Sequence, residues 1–71
     1  MNQTETLQIM AVLRGAYPAF YRDMVRKDAE SVVALWAEMF AEEDVAIVAA
    51  AVKALIATDD KGFPPHIGAV K

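Results

Sequence analysis

Ala29-Glu30-Ser31-Val32-Val33-Ala34-Leu35-Trp36-Ala37-Glu38-Met39-Phe40 is the stretch that decides the fold. Val32, Leu35, Trp36, Met39 and Phe40 fall at i, i+3, i+4, i+7 and i+8, the spacing that gathers side chains on one face of an α-helix. Alternating strand periodicity would scatter the same five residues over both faces of a sheet. This is the cleanest amphipathic stripe in the chain, and it predicts a helix that must find apolar partners. Asp28 reads as its N-cap, with Glu30 in the first turn favoured by the helix dipole.

The same period continues downstream. Glu42-Glu43-Asp44 forms a short acidic joint whose last residue is placed to cap another helix. Val45, Val48, Ala49, Val52, Leu55 and Ile56 give that helix a stripe running to about Ala57. Ile47, Ala50, Ala51 and Ala54 widen its apolar surface, which predicts a central position touched from more than one side. Thr58-Asp59-Asp60-Lys61-Gly62 is the strongest turn signal present. Phe63-Pro64-Pro65 then re-enters the core, with Pro65 placed to open a last helical turn over His66-Ile67-Gly68-Ala69-Val70-Lys71.

Upstream, Asn2-Gln3-Thr4-Glu5 has the form of a capping box. Ile9, Val12, Leu13 and Ala16 follow at helical spacing, with Leu7 and Met10 beside them. Gly15 weakens the end of this helix, and Pro18 disfavours helical geometry at Tyr17, so the helix should stop near Ala16. Pro18 is suited to the first position of a second, short helix, in which Tyr17, Phe20, Tyr21 and Met24 gather aromatic bulk on one side. Arg26-Lys27-Asp28 ends it. With no strand-period segment anywhere, the expected fold is all-α: one compact bundle of four to five short helices and no sheet.

Composition supports one small domain. The chain has 71 residues, 56% of them apolar, and no cysteine, so packing alone must hold the core, without disulfide staples or a thiolate metal site. Fourteen residues are alanine, the best helix former. No apolar run approaches the ~18 residues needed to span a bilayer. The start lacks the basic and apolar regions of a secretory signal, and with the absence of cysteine this points to the cytoplasm.

Chemistry is sparse. His66, the single histidine, sits beside two prolines at a helix start, and Ser31, the single serine, has no base near it in sequence. Asp59-Asp60 and Glu42-Glu43-Asp44 lack the spacing of a calcium loop, and no glycine-rich phosphate loop exists. The expectation is therefore no enzyme, no cofactor, no metal and no small-molecule substrate. Net charge is −3, and the fourth helix offers only Lys53 as a base behind a triply acidic joint, which disfavours direct contact with nucleic acid. The charge is nonetheless split. Arg14, Arg22, Arg26 and Lys27 lie early, whereas from Asp28 to Ala51 there are six acids and no base. Such bipolarity fits a protein partner. Tyr21, Arg22, Arg26 and Lys27 together form the candidate partner-binding edge, an amphipathic aromatic-basic set of a kind enriched at interfaces.

Ala16-Tyr17-Pro18-Ala19-Phe20-Tyr21, Leu35-Trp36-Ala37-Glu38-Met39-Phe40, Ala51-Val52-Lys53-Ala54-Leu55-Ile56-Ala57-Thr58 and Phe63-Pro64-Pro65-His66-Ile67 follow one another in an order that resembles the bacteriophage replicative-helicase loader/inhibitor family of Gram-positive bacteria and their prophages. The likeness runs from about Leu7 to Ile67. It implies a non-enzymatic DNA-replication accessory protein of the bacterial host cytoplasm. Such a protein binds the hexameric DnaB-type replicative helicase, holds it inactive and helps deliver it to the origin through an origin-binding protein. The resemblance also implies that residues 1–71 are a single helical domain, the folded N-terminal part of a longer protein whose flexible C-terminal tail engages the helicase. The alternative left open by the residues is a generic small helical phage adaptor, or an inhibitor of another host protein, with no helicase role.

Overall fold

A computed structural model describes residues 1–70, which form five helices and, among the described residues, no strand. They are α1 (Gln3–Ala16), α2 (Pro18–Tyr21), α3 (Arg26–Met39), α4 (Val45–Ala57) and α5 (Ile67–Val70). The capping box forms as its sequence dictates: the Glu5 amide donates to Asn2 Oδ1 at 2.8 Å, and the Asn2 amide to Glu5 Oε1 at 2.9 Å. Pro18 stops α1 at Ala16 and occupies the start of α2. Asp44 caps α4, accepting from the Ala46 amide at 2.8 Å.

α3 departs from expectation at its start. It begins at Arg26, with Val25 in extended geometry as the N-cap and no side-chain cap. Asp28 lies inside the first turn, where its charge still opposes the positive end of the dipole. Arg26 and Lys27 therefore belong to α3 rather than ending α2, and Arg26 Nε pairs with Glu30 Oε1 one turn on at 3.2 Å.

The centre of the bundle is α1, which packs against α2, α3 and α4, while α4 in turn carries α5. The expectation of a central α4 is thus corrected. Its extra apolar breadth is mostly alanine, which favours helix without demanding burial, and its one large outward residue, Ile47, is 65% exposed. α1 buries Thr6, Ile9, Met10 and Leu13. Thr6 is tolerated there because its hydroxyl donates to the Asn2 carbonyl at 2.8 Å, leaving no orphan polar group.

The core is one cluster: Met1, Ile9, Met10, Leu13, Tyr17, Val33, Trp36, Phe40, Val48 and Val52. Trp36 and Phe40 meet with ring centroids 5.3 Å apart. α3 is rotated relative to its predicted stripe, so that Val33, Trp36 and Phe40 face inward while Leu35 and Met39 are exposed. Phe20 and Phe63, both expected in the core, are exposed as well. A domain this small has more apolar side chains than interior volume to hold them. The radius of gyration, 11.4 Å, nevertheless matches the ~11 Å of a compact chain of this length.

The Met1 ammonium ties the start of the chain to the end of α3. It donates to the carbonyls of Phe40 at 3.0 Å and Ala41 at 3.1 Å, and also to that of Glu43. These are carbonyls that the end of α3 and the following turn leave exposed, and a cation there complements the negative end of the helix dipole.

Candidate partner-binding surface

The four residues singled out from sequence do not form one patch. Tyr21 and Arg22 lie on α2 and its C-cap, and Arg26 and Lys27 occupy the first turn of α3. Between them the chain runs through Asp23, Met24 and Val25, the last 59% exposed. Tyr21 is half-buried, whereas the three bases are exposed. Arg22 approaches Asp23 at 3.8 Å with both side chains largely in solvent, so this pair contributes little. Arg26 is held by Glu30. Lys27 is tied to the helix only through its carbonyl, which accepts from Ser31 Oγ at 3.1 Å.

Tyr21 and Arg22 instead face a groove shared with α1. Pro18 turns the chain so that α2 folds back on the last turns of α1. The floor is then made of small residues, Ala11, Gly15, Pro18 and Ala19, and the rim of Arg14, Tyr21 and Arg22. Arg14 was not among the predicted site residues. It lies seven positions before Tyr21 and across a helix break, so no periodicity links the two, and only the fold-back brings them to one groove. The Tyr21 ring meets Phe20 edge-on at 5.1 Å and 68°. Burial pushes the Tyr21 hydroxyl above its ordinary pKa, so it is a neutral hydrogen-bonding group at physiological pH.

On the other side of α2 a second concavity is closed by a hydrogen bond from Tyr17 Oη to Asp59 Oδ2 at 2.9 Å. Asp59 also accepts from the Lys61 and Gly62 amides, both at 3.1 Å. The Lys61 amide first, then the Tyr17 hydroxyl, holds the carboxyl below its ordinary range, and burial together with Asp59 raises the Tyr17 hydroxyl. Gly62, with φ of 77°, supplies the left-handed turn residue this wrap requires. The Thr58–Gly62 turn is therefore pinned to α2's N-cap, a structural role for both Tyr17 and Asp59. His66 caps α5, its Nδ1 accepting from the Ala69 amide at 3.1 Å.

Among the described residues no three histidine, aspartate or glutamate side chains converge to hold a metal ion, and no helix is long and apolar enough to cross a membrane. The arrangement offers exposed charge, an amphipathic aromatic pair and a shallow groove, which are means of holding another macromolecule.

Comparison with curated proteins and with solved structures finds no match. A family model describing the N-terminal domain of a phage helicase loader/inhibitor, the gene-39 protein, matches residues 1–71, the whole chain. The all-α globule agrees with the helical domain that the resemblance implied, and the match runs from the capping box to the last helix. The chain belongs to the N-terminal-domain family of the phage helicase loader/inhibitor.

Proposed function

We propose that this chain is the folded, non-enzymatic part of a phage DNA-replication accessory protein that binds the hexameric DnaB-type replicative helicase. It restrains that helicase and helps load it at the origin through contacts with an origin-binding protein. The observation that carries the reading is the family match along residues 1–71. The acidic balance and the lone base of α4 support protein partners over direct contact with nucleic acid. In this reading residues 1–71 form one helical domain that precedes a flexible tail, and the protein works in the cytoplasm of the bacterial host.

The partner surface is the edge formed by Tyr21, Arg22, Arg26 and Lys27. It combines a half-buried tyrosine with cations held on two short-range scaffolds, α2 and the first turn of α3. Charge reversal at Arg22 and Arg26 tests it. Arg26→Glu places two acids one turn apart with Glu30, a loss of only about a few tenths of a kcal/mol, so the domain stays folded. The double variant is expected to capture the helicase or the origin-binding protein less well than the wild-type chain in pull-down, with an unchanged circular dichroism melt. Equal capture of both partners would remove this edge from the proposal.

A further inference from the structure

We infer that the groove between the end of α1 and α2 is a docking site for an acidic peptide segment carrying an aliphatic anchor side chain. This rests on the proposed use of the adjoining edge for partner capture, and adds a different site geometry and a chemistry for the occupant.

Three observations carry it. Gly15 lies in the last turns of α1, with no positive φ to require glycine, and a Cβ built there meets nothing within 4 Å. Glycine inside a helix weakens it, and its usual compensations are unusual backbone geometry or close approach of another chain. The first is absent, which leaves the groove's own occupant. Second, the floor of Ala11, Gly15, Pro18 and Ala19 has room for an aliphatic side chain and no polar group to direct one.

Third, the rim is cationic and unpaired. Arg14 makes no ion pair or hydrogen bond with any described residue, and Arg22 has only its loose, exposed approach to Asp23 at 3.8 Å. No acidic side chain lines the groove, in a chain whose net charge is −3. Guanidinium forks are matched to carboxylates and to phosphates alike. The apolar floor decides between them: it gains from an aliphatic side chain and offers a nucleic-acid backbone nothing, while the acidic surface beyond repels a polyanion.

The test uses the 71-residue chain, labelled with ¹⁵N, and the probe peptide acetyl-Asp-Glu-Leu-Leu-Glu-Asp-amide. The expected result is saturable shifts concentrated in the amides of residues 11–22, weakened by salt. Gly15→Leu, which fills the floor without a steric conflict, and the pair Arg14→Glu/Arg22→Glu are each expected to weaken binding at least about tenfold. Having two independent variants keeps the test decisive should one fail to fold.

Wild-type affinity in Gly15→Leu would overturn the groove. So would stronger shifts of the same amides by acetyl-Lys-Lys-Leu-Leu-Lys-Lys-amide or by an oligonucleotide. Helicase capture separates this inference from the proposed function. Capture that is equal for wild type and Gly15→Leu removes the groove and leaves the helicase reading. Peptide binding in the groove without helicase capture does the reverse.

Discussion

Leu13 and Val52 have no exposed surface at all, and Ile9 has 1%. Truncating such a side chain removes its transfer energy and leaves a cavity that a close-packed interior fills only partly, at a cost of about 2–5 kcal/mol. A domain of this size has roughly 4–11 kcal/mol of stability in total. Leu13→Ala is therefore expected to lose much of its cooperative urea transition, whereas Leu35→Ala, half exposed, should shift stability by at most about 0.5 kcal/mol. Equal losses would mean that α3 is oriented by its predicted stripe and not as described.

The Tyr17–Asp59 bond gives a second prediction at this scale. The Asp59 carboxyl is held below its ordinary value of 3.8, so its contribution is complete above that pH and is lost as pH falls through the lowered folded value. The Tyr17 hydroxyl is raised above 10.0, so its contribution is complete below that pH and is lost as pH rises through the raised folded value. Asp59→Asn should melt below wild type at neutral pH, with the gap closing in acid below the ordinary carboxyl value. Tyr17→Phe should show the gap closing in alkali instead. Gaps that ignore pH would mean that the bond does not couple to folding.

Among the elements, α1 and α2 were legible from residue types because their boundaries are set locally. A capping box and a proline act on the backbone next to them, whatever the rest of the molecule does. α4 was legible for the same reason, through Asp44. α3's N-terminus was not, because Val25 supplies no side-chain cap and Asp28, a good capping residue by type, serves in the first turn. The joint after α3 depends on a contact that no local rule contains, the Met1 ammonium on the carbonyls of Phe40, Ala41 and Glu43. Hydrogen bonds to a charged group are worth about 1.5–3 kcal/mol. Placing Gly-Ser before Met1 converts the ammonium to an amide and adds bulk at a buried residue. It is expected to lower the melting temperature by several degrees, whereas the same dipeptide after Lys71 serves as the comparison and should have a smaller effect. Identical melts would rule out the ammonium as a fastening of α3.

The whole molecule has one core, and Trp36, 6% exposed, sits inside it. Among the described residues no second cluster could outlast the first, so unfolding should be all-or-none. Trp36 fluorescence and far-ultraviolet circular dichroism are expected to trace a single urea transition with a slope of about 1 kcal/mol/M, at the low end because little surface is available to expose. A helical signal persisting after the fluorescence change would contradict a single core. At this scale the partner surface also takes its form. Arg14 and Arg22 reach one groove only because α2 reverses onto α1, whereas Arg26 and Lys27, near Arg22 in sequence, are carried off by α3.

Residue types alone determined that the chain is helical, where α1, α2 and α4 begin or end, and that it holds no recognisable catalytic motif. Those properties follow from backbone preferences and side-chain chemistry acting over one or two turns. Tertiary structure decided which helix is central, which face of α3 is buried, and which bases share a groove. Leu35, Met39, Phe20 and Phe63 are as apolar as their buried neighbours, and hydrophobicity does not rank them. Only competition for the limited contact surface of α1 leaves them outside.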